Sequence, residues 1–103
     1  MTETVVITGI ARTPMGAFKG AFADVAAPDL GAVAIKAALS EANIEADAVE
    51  QVMMGCVLPA GQGQAPARQA ALGADLPMAA EAVTVNKMCG SGMQAAIMAH
   101  DTI

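Results

Sequence analysis

The chain has 103 residues, enough for one small domain or part of a larger one. It is 55% hydrophobic but only 2% aromatic, so its apolar content is mostly alanine, valine, leucine and methionine, a thin supply for an independent core at this length. Ten acidic against five basic residues give a net charge of −5, and without a basic stripe or an aromatic platform nucleic acid is excluded as a partner.

Two cysteines, Cys56 and Cys89, and one histidine, His100, suggest neither a disulfide framework nor a zinc site, and no metal is expected. The opening MTETVVITGI lacks the basic and long apolar regions of a signal peptide. No run approaches the roughly 18 apolar residues of a transmembrane helix, so no membrane partner is expected. A cytoplasmic location is the expectation for such cysteine usage.

Thr4 to Ala11 reads as a first strand, apolar on both faces through Val5, Val6, Ile7 and Ile10, as in parallel sheets covered by helices. Arg12 to Gly16 form a turn, and Lys19 to Asp24 a surface connection with Phe18 and Phe22 tucked against the body. Pro28 and Asp29 suit a helix start. Leu30, Val33, Ala34, Ala37 and Ala38 follow at helical spacing, with Leu39 widening the face and Asn43 as the stop. Asp47 to Glu50 have the spacing of a one-turn helix with a capping-box-like start.

Val52 to Val57 read as a second strand, in which Gly55 implies close approach by a neighbouring element. Leu58 to Ala65 form a loop, Pro66 opens a short helix that Gly73 closes, and Glu81 leads into a third strand. Gly61 to Pro66 only faintly match a dinucleotide-binding turn, and Arg68 reads as an exposed charge rather than a phosphate ligand. Strand–helix alternation of this kind predicts an α/β fold, a βαβαβα start with parallel strands and covering helices.

The third strand, with Val83 and Val85, runs into a sharp turn at Gly90, Ser91 and Gly92 and then a helix from Met93 onward. Cys89 falls at that turn. Unpaired N–H groups and the dipole at a helix start favour negative charge, hence thiolate. The arrangement parallels the nucleophile elbow of α/β-hydrolases. The plain alternative is an inert buried thiol, and spacing alone favours it. Cys56, mid-strand, reads as packing, and Met88 and Met93 as flanks of the turn that could line an acyl pocket. His100 lies eleven residues after Cys89, about 16 Å along a continuous helix, too far for proton exchange.

Val85-Asn86-Lys87-Met88-Cys89-Gly90-Ser91-Gly92-Met93-Gln94-Ala95 closely resembles the thiolase signature around the acyl-accepting cysteine. Val6 to Gly16 resemble the family's opening strand and turn, and Met54 to Ala70 its second strand, loop and short helix. The resemblance spans residues 1–103 but corresponds only to the N-terminal portion of a thiolase. It implies ping-pong acyl transfer with Cys89 as the catalytic nucleophile, acyl-CoA and acetyl-CoA as substrates, no bound cofactor, and a homo-oligomer for the complete enzyme. It places the activating histidine and second cysteine in later segments, so the isolated chain is expected to be inactive. One departure is Ala96, where the family usually has a larger aliphatic residue. The alternatives are a β-ketoacyl synthase-like condensing enzyme and a non-catalytic thiolase-like assembly module.

Overall fold

The computed structural model describes residues 3–103. The order is α1 (Ala27–Ala42), a 3-10 turn (Ala46–Ala48), β1 (Gln51–Gly55), α2 (Pro66–Gly73), β2 (Glu81–Val85) and α3 (Ser91–Thr102). β1 and β2 pair in parallel, with Gln51 opposite Glu81 and Gly55 opposite Val85. The ladder extends at both ends, as Glu81 N–H donates to the Glu50 carbonyl and Cys56 N–H to the Val85 carbonyl, both at 2.9 Å.

Strand alternation divides the molecule into layers. Val52, Met54 and Ala82 face the cluster built on Ala32, Ala71, Ala74 and Leu76, so α1 and α2 cover that side. Gly55 meets the start of α3, and Met53 lines a groove with Met98 farther along it, so α3 covers the other side. The core is mostly alanine. It gains contact by backbone proximity rather than by large side chains. A Cβ added to Gly31 would lie 3.1 Å from the Ala70 methyl, and one added to Gly73 3.1 Å from the Ala32 methyl.

Helix α1 begins with Pro28 in its first turn and Asp29 beside it. It ends at Asn43 in the left-handed conformation (φ 56°), whose N–H donates to the Ser40 carbonyl while Ile44 N–H reaches Leu39. The inward face differs from the expected one. Pro28 and Ala32 are buried, with Ile35 and Leu39 packed beside them, whereas Val33 and Ala37 are exposed. Small apolar residues lie all round this helix, so periodicity alone does not locate the face that meets α2.

The expected first strand is absent as a strand. Among the described residues, 3–26 contain no helix or strand, and Val6, Ile7 and Ile10 are 67%, 84% and 69% exposed. An apolar run states a need for burial, but a strand exists only where a neighbour completes its ladder. Here Gly9 instead presses on α1 at Ala38 and Ala42, and Ile10 N–H donates to Glu41 Oε2 at 3.3 Å.

Further expectations shift. Phe18 is exposed with the Lys19 ammonium 5.5 Å from its ring centre, and only Phe22 folds inward, against Gly16. The one-turn helix lies at Ala46–Ala48 with no side-chain cap, so no capping box forms. β1 stops at Gly55, two residues early, where the chain turns toward its loop.

Because α1 and α2 meet through methyl groups, added volume there has nowhere to go. Ala71→Leu is expected to destabilise by about 1–3 kcal/mol. Urea unfolding would show a lower midpoint at unchanged slope. Val33→Thr, on the exposed side of α1, should stay within about 0.5 kcal/mol.

Candidate active site

The site is the connection from β2 into α3. Gly90 N–H donates to the Lys87 carbonyl at 3.0 Å, and Ser91 N–H to the Met88 carbonyl at 3.1 Å. Two overlapping turns result, and Cys89 is a central residue of both. Met88 takes the left-handed conformation (φ 47°) that permits the reversal. The backbone strain of this elbow therefore falls one residue before the cysteine. Cys89 is a free, exposed thiol. It lies two residues before the first helical residue, with Gly90 as N-cap (φ −90°, ψ 8°).

Two polar side chains hold the turn. Asn86 Oδ1 accepts from Met88 N–H at 3.0 Å, an Asx-type turn, while its Nδ2 donates to the Val57 carbonyl at 3.4 Å in the loop after β1. Ser91 Oγ accepts from Lys87 N–H at 2.9 Å and donates to the Met88 carbonyl at 2.6 Å. Outside them, Lys87 Nζ donates to Gln94 Oε1 at 3.3 Å. From sequence, Ser91 reads only as a small residue of the turn, and Asn86 only as a member of the family signature. The signals were present: an asparagine two residues before a reversal, and a serine at a helix start.

The glycine that this geometry requires is Gly55. A Cβ there would lie 2.7 Å from Ser91 C and 2.8 Å from Gly92 N, both backbone atoms. The close approach expected of Gly55 is thus made by the first turn of α3. Gly90 and Gly92, where the sequence predicts the sharp turn, make no such contact. A Cβ on Gly90 would meet the Lys87 carbonyl oxygen at an ordinary 3.4 Å, and one on Gly92 would meet nothing within 4 Å. Their small size leaves the surface beside Cys89 open. The helix begins at Ser91, two residues earlier than expected.

The other candidates separate from this site. Cys56 is half-buried just past β1, with its N–H in the ladder. His100 sits near the far end of α3, roughly 14 Å up the axis from Ser91, with its Nδ1 3.0 Å from Asp101 Oδ1. Met88 and Met93 lie open on the surface and do not close a pocket. Arg68 is neither a free surface charge nor a phosphate ligand. Its half-buried guanidinium donates to the carbonyls of Ala80 and Met78, the latter at 2.8 Å, and so fixes the entry to β2. The turn from Gly61 to Pro66 is closed by a side chain of α2: Gln69 Nε2 donates to the Gln62 and Gln64 carbonyls at 2.8 and 2.7 Å. Thr84 Oγ1 accepts from Ala67 N–H at 3.0 Å, tying the start of α2 to β2.

These contacts separate Gly55 from Gly92 experimentally. Gly55→Ala is expected to destabilise by about 1–3 kcal/mol through backbone overlap. Gly92→Ala should leave stability unchanged or raise it by up to about 1 kcal/mol, because alanine is the better helix former. Thermal melts of both variants beside the parent chain check the contrast.

A family model for the N-terminal domain of thiolases matches residues 5–103. The chain is 50% identical to an acetyl-CoA acetyltransferase of Cupriavidus necator, covering all of this chain and 26% of that protein. It is 52% identical to acetyl-CoA acetyltransferase 2 of Arabidopsis thaliana, covering 96% of this chain and 25% of the relative. Among solved structures, the Acat5 thiolase of Ascaris suum in complex with coenzyme A superposes at TM-score 0.91, with 36% identity over 93% of this chain and 25% of that one. The acetyl-CoA acetyltransferase of Syntrophomonas wolfei superposes at 0.89, with 34% identity over 95% of this chain and 25% of its own. The chain spans about a quarter of the length of the curated relatives it matches. With residues 5–103 of this chain matched by that family model and the α/β architecture shared with solved thiolases, the chain belongs to the thiolase family.

Proposed function

We propose that this segment carries the nucleophile of a thiolase-type acyltransferase that makes or cleaves 3-ketoacyl-CoA through an acyl group on Cys89. The observation that carries the reading is an exposed cysteine at the centre of the turn into α3, inside a chain that matches the N-terminal domain of thiolases. The relatives' names support acetyl-CoA as the acyl donor.

In the proposed reaction the Cys89 thiolate attacks the thioester carbonyl carbon. A carbon–sulfur bond forms, and the carbonyl electron pair moves onto oxygen. The Cys89 backbone N–H, beside the start of α3, is the proposed donor to that oxyanion. Collapse expels the CoA thiolate, which takes up a proton, and leaves the acyl group on Cys89. A base then removes an α-proton from a second acetyl-CoA. Its carbanion attacks the acyl-cysteine carbonyl, a carbon–carbon bond forms, and the Cys89 thiolate leaves. Thiolysis is the reverse sequence.

The proton transfers need a second group. His100 is held at the other end of α3, so it does not serve Cys89. The proposed partners belong to the further length that the relatives possess. A homo-oligomer is proposed for the complete enzyme on family resemblance. A reducing compartment, the cytoplasm, is proposed on both cysteines being free thiols.

Site-resolved alkylation with iodoacetamide at pH 7 tests the nucleophile. Cys89 is expected to label at least tenfold faster than glutathione, with Cys56 slow in the same molecule. Labelling of Cys89 no faster than the model thiol would remove the nucleophile. The isolated chain is expected to show no acetoacetyl-CoA thiolysis, and measurable turnover would show that it needs no second group.

A further inference from the structure

Ser91 is 3% exposed, the one buried polar residue in the described chain, and its hydroxyl makes two bonds within the turn that contains Cys89. It accepts from Lys87 N–H on one side of Met88 and donates to the Met88 carbonyl on the other. The residue so bracketed is the one in the left-handed conformation. Its Cβ side is pressed against Gly55, so the hydroxyl has a fixed base from which to act. Alanine would fill the same space. It would leave the Lys87 N–H and one lone pair of the Met88 carbonyl without these partners, and Met88 held in its left-handed conformation only by Asn86 and the backbone bonds of the two turns. Cys89, the next residue, moves with Met88.

We propose that Ser91 is a positioning residue for Cys89: its buried hydroxyl locks the left-handed Met88 and so sets the direction in which the sulfur leaves the turn. The proposal rests on Cys89 being the nucleophile. It adds that the seryl hydroxyl acts on the sulfur through the backbone, without touching substrate. This separates Ser91 from a helix cap, since α3 has no side-chain cap bond and the hydroxyl bonds backward into the turn.

The test compares two variants of the chain by site-resolved iodoacetamide alkylation at pH 7, with Cys56 as the internal reference. Ser91→Ala removes the hydroxyl. Ala95→Gly weakens the next turn of the same helix at another buried position without touching the clamp. Ser91→Ala is expected to slow Cys89 at least fivefold relative to Cys56. Ala95→Gly should lower the melting temperature yet keep the ratio within twofold of the parent. A Ser91→Ala ratio within twofold of the parent, or above it, overturns the proposal, as does an equal slowing in Ala95→Gly. Adding Met88→Gly to Ser91→Ala is expected to restore folding and bring the ratio back to within twofold of the parent, since glycine adopts the left-handed turn without strain, and a folded double variant still slowed fivefold overturns the proposal. A parent Cys89 that labels no faster than glutathione removes the nucleophile itself, and the positioning role with it, a result distinct from a fast parent and an unchanged variant.

Discussion

The first turn of α3 sits directly on the end of β1, and it can do so only because residue 55 has no side chain. The Gly55 backbone meets the backbone of Ser91 and Gly92 at distances that leave no room for a methyl group. That contact fixes where the helix begins. The helix start fixes Ser91, Ser91 fixes the reversal at Met88, and the reversal presents Cys89 to solvent. A neighbouring strand thus supports the elbow from beneath, while Asn86 ties it sideways to the loop after β1.

The rest of the molecule serves the same placement. α1 and α2 pack through small residues, so the sheet is held firmly from its other face by chains that come very close together. Arg68 reaches from α2 to the carbonyls before β2, and Thr84 returns a contact from β2 to the start of α2. These bonds set the position of β2, whose end becomes the elbow. An alanine-rich core supplies little transfer energy per residue. Polar ties between elements therefore carry more of the positioning than they would in a core of leucine and phenylalanine.

Much of this was legible in the residues. Pro28, Asn43, Pro66 and Gly73 mark helix ends that the structure bears out within a residue or two, because backbone restriction acts locally. Gly55 was readable as a point of close approach, and Cys89 as the cysteine of a strand-to-helix turn. What was not legible depends on partners distant in the chain. The segment from Thr4 to Ala11 has the composition of a strand, but no neighbour among the described residues completes its ladder. The glycines flanking Ser91 looked like the tight contact, whereas the contact lies at a glycine more than thirty residues earlier. Arg68 and Ser91 carry ordinary polar side chains, and only the fold shows which carbonyls they meet. The thiolase resemblance pointed to Cys89 as the proposed nucleophile, but it did not point to what holds it.

The account joins a packing contact to a chemical outcome, and acylation measures that junction. The parent chain and Gly55→Ala would be treated with an aryl thioacetate at a temperature where both are folded, and the acetyl group located by tandem mass spectrometry. The account predicts acetyl on Cys89 in the parent and at least tenfold less in Gly55→Ala, with Cys56 unmodified in both. Equal acetylation of Cys89 in the two proteins would contradict it.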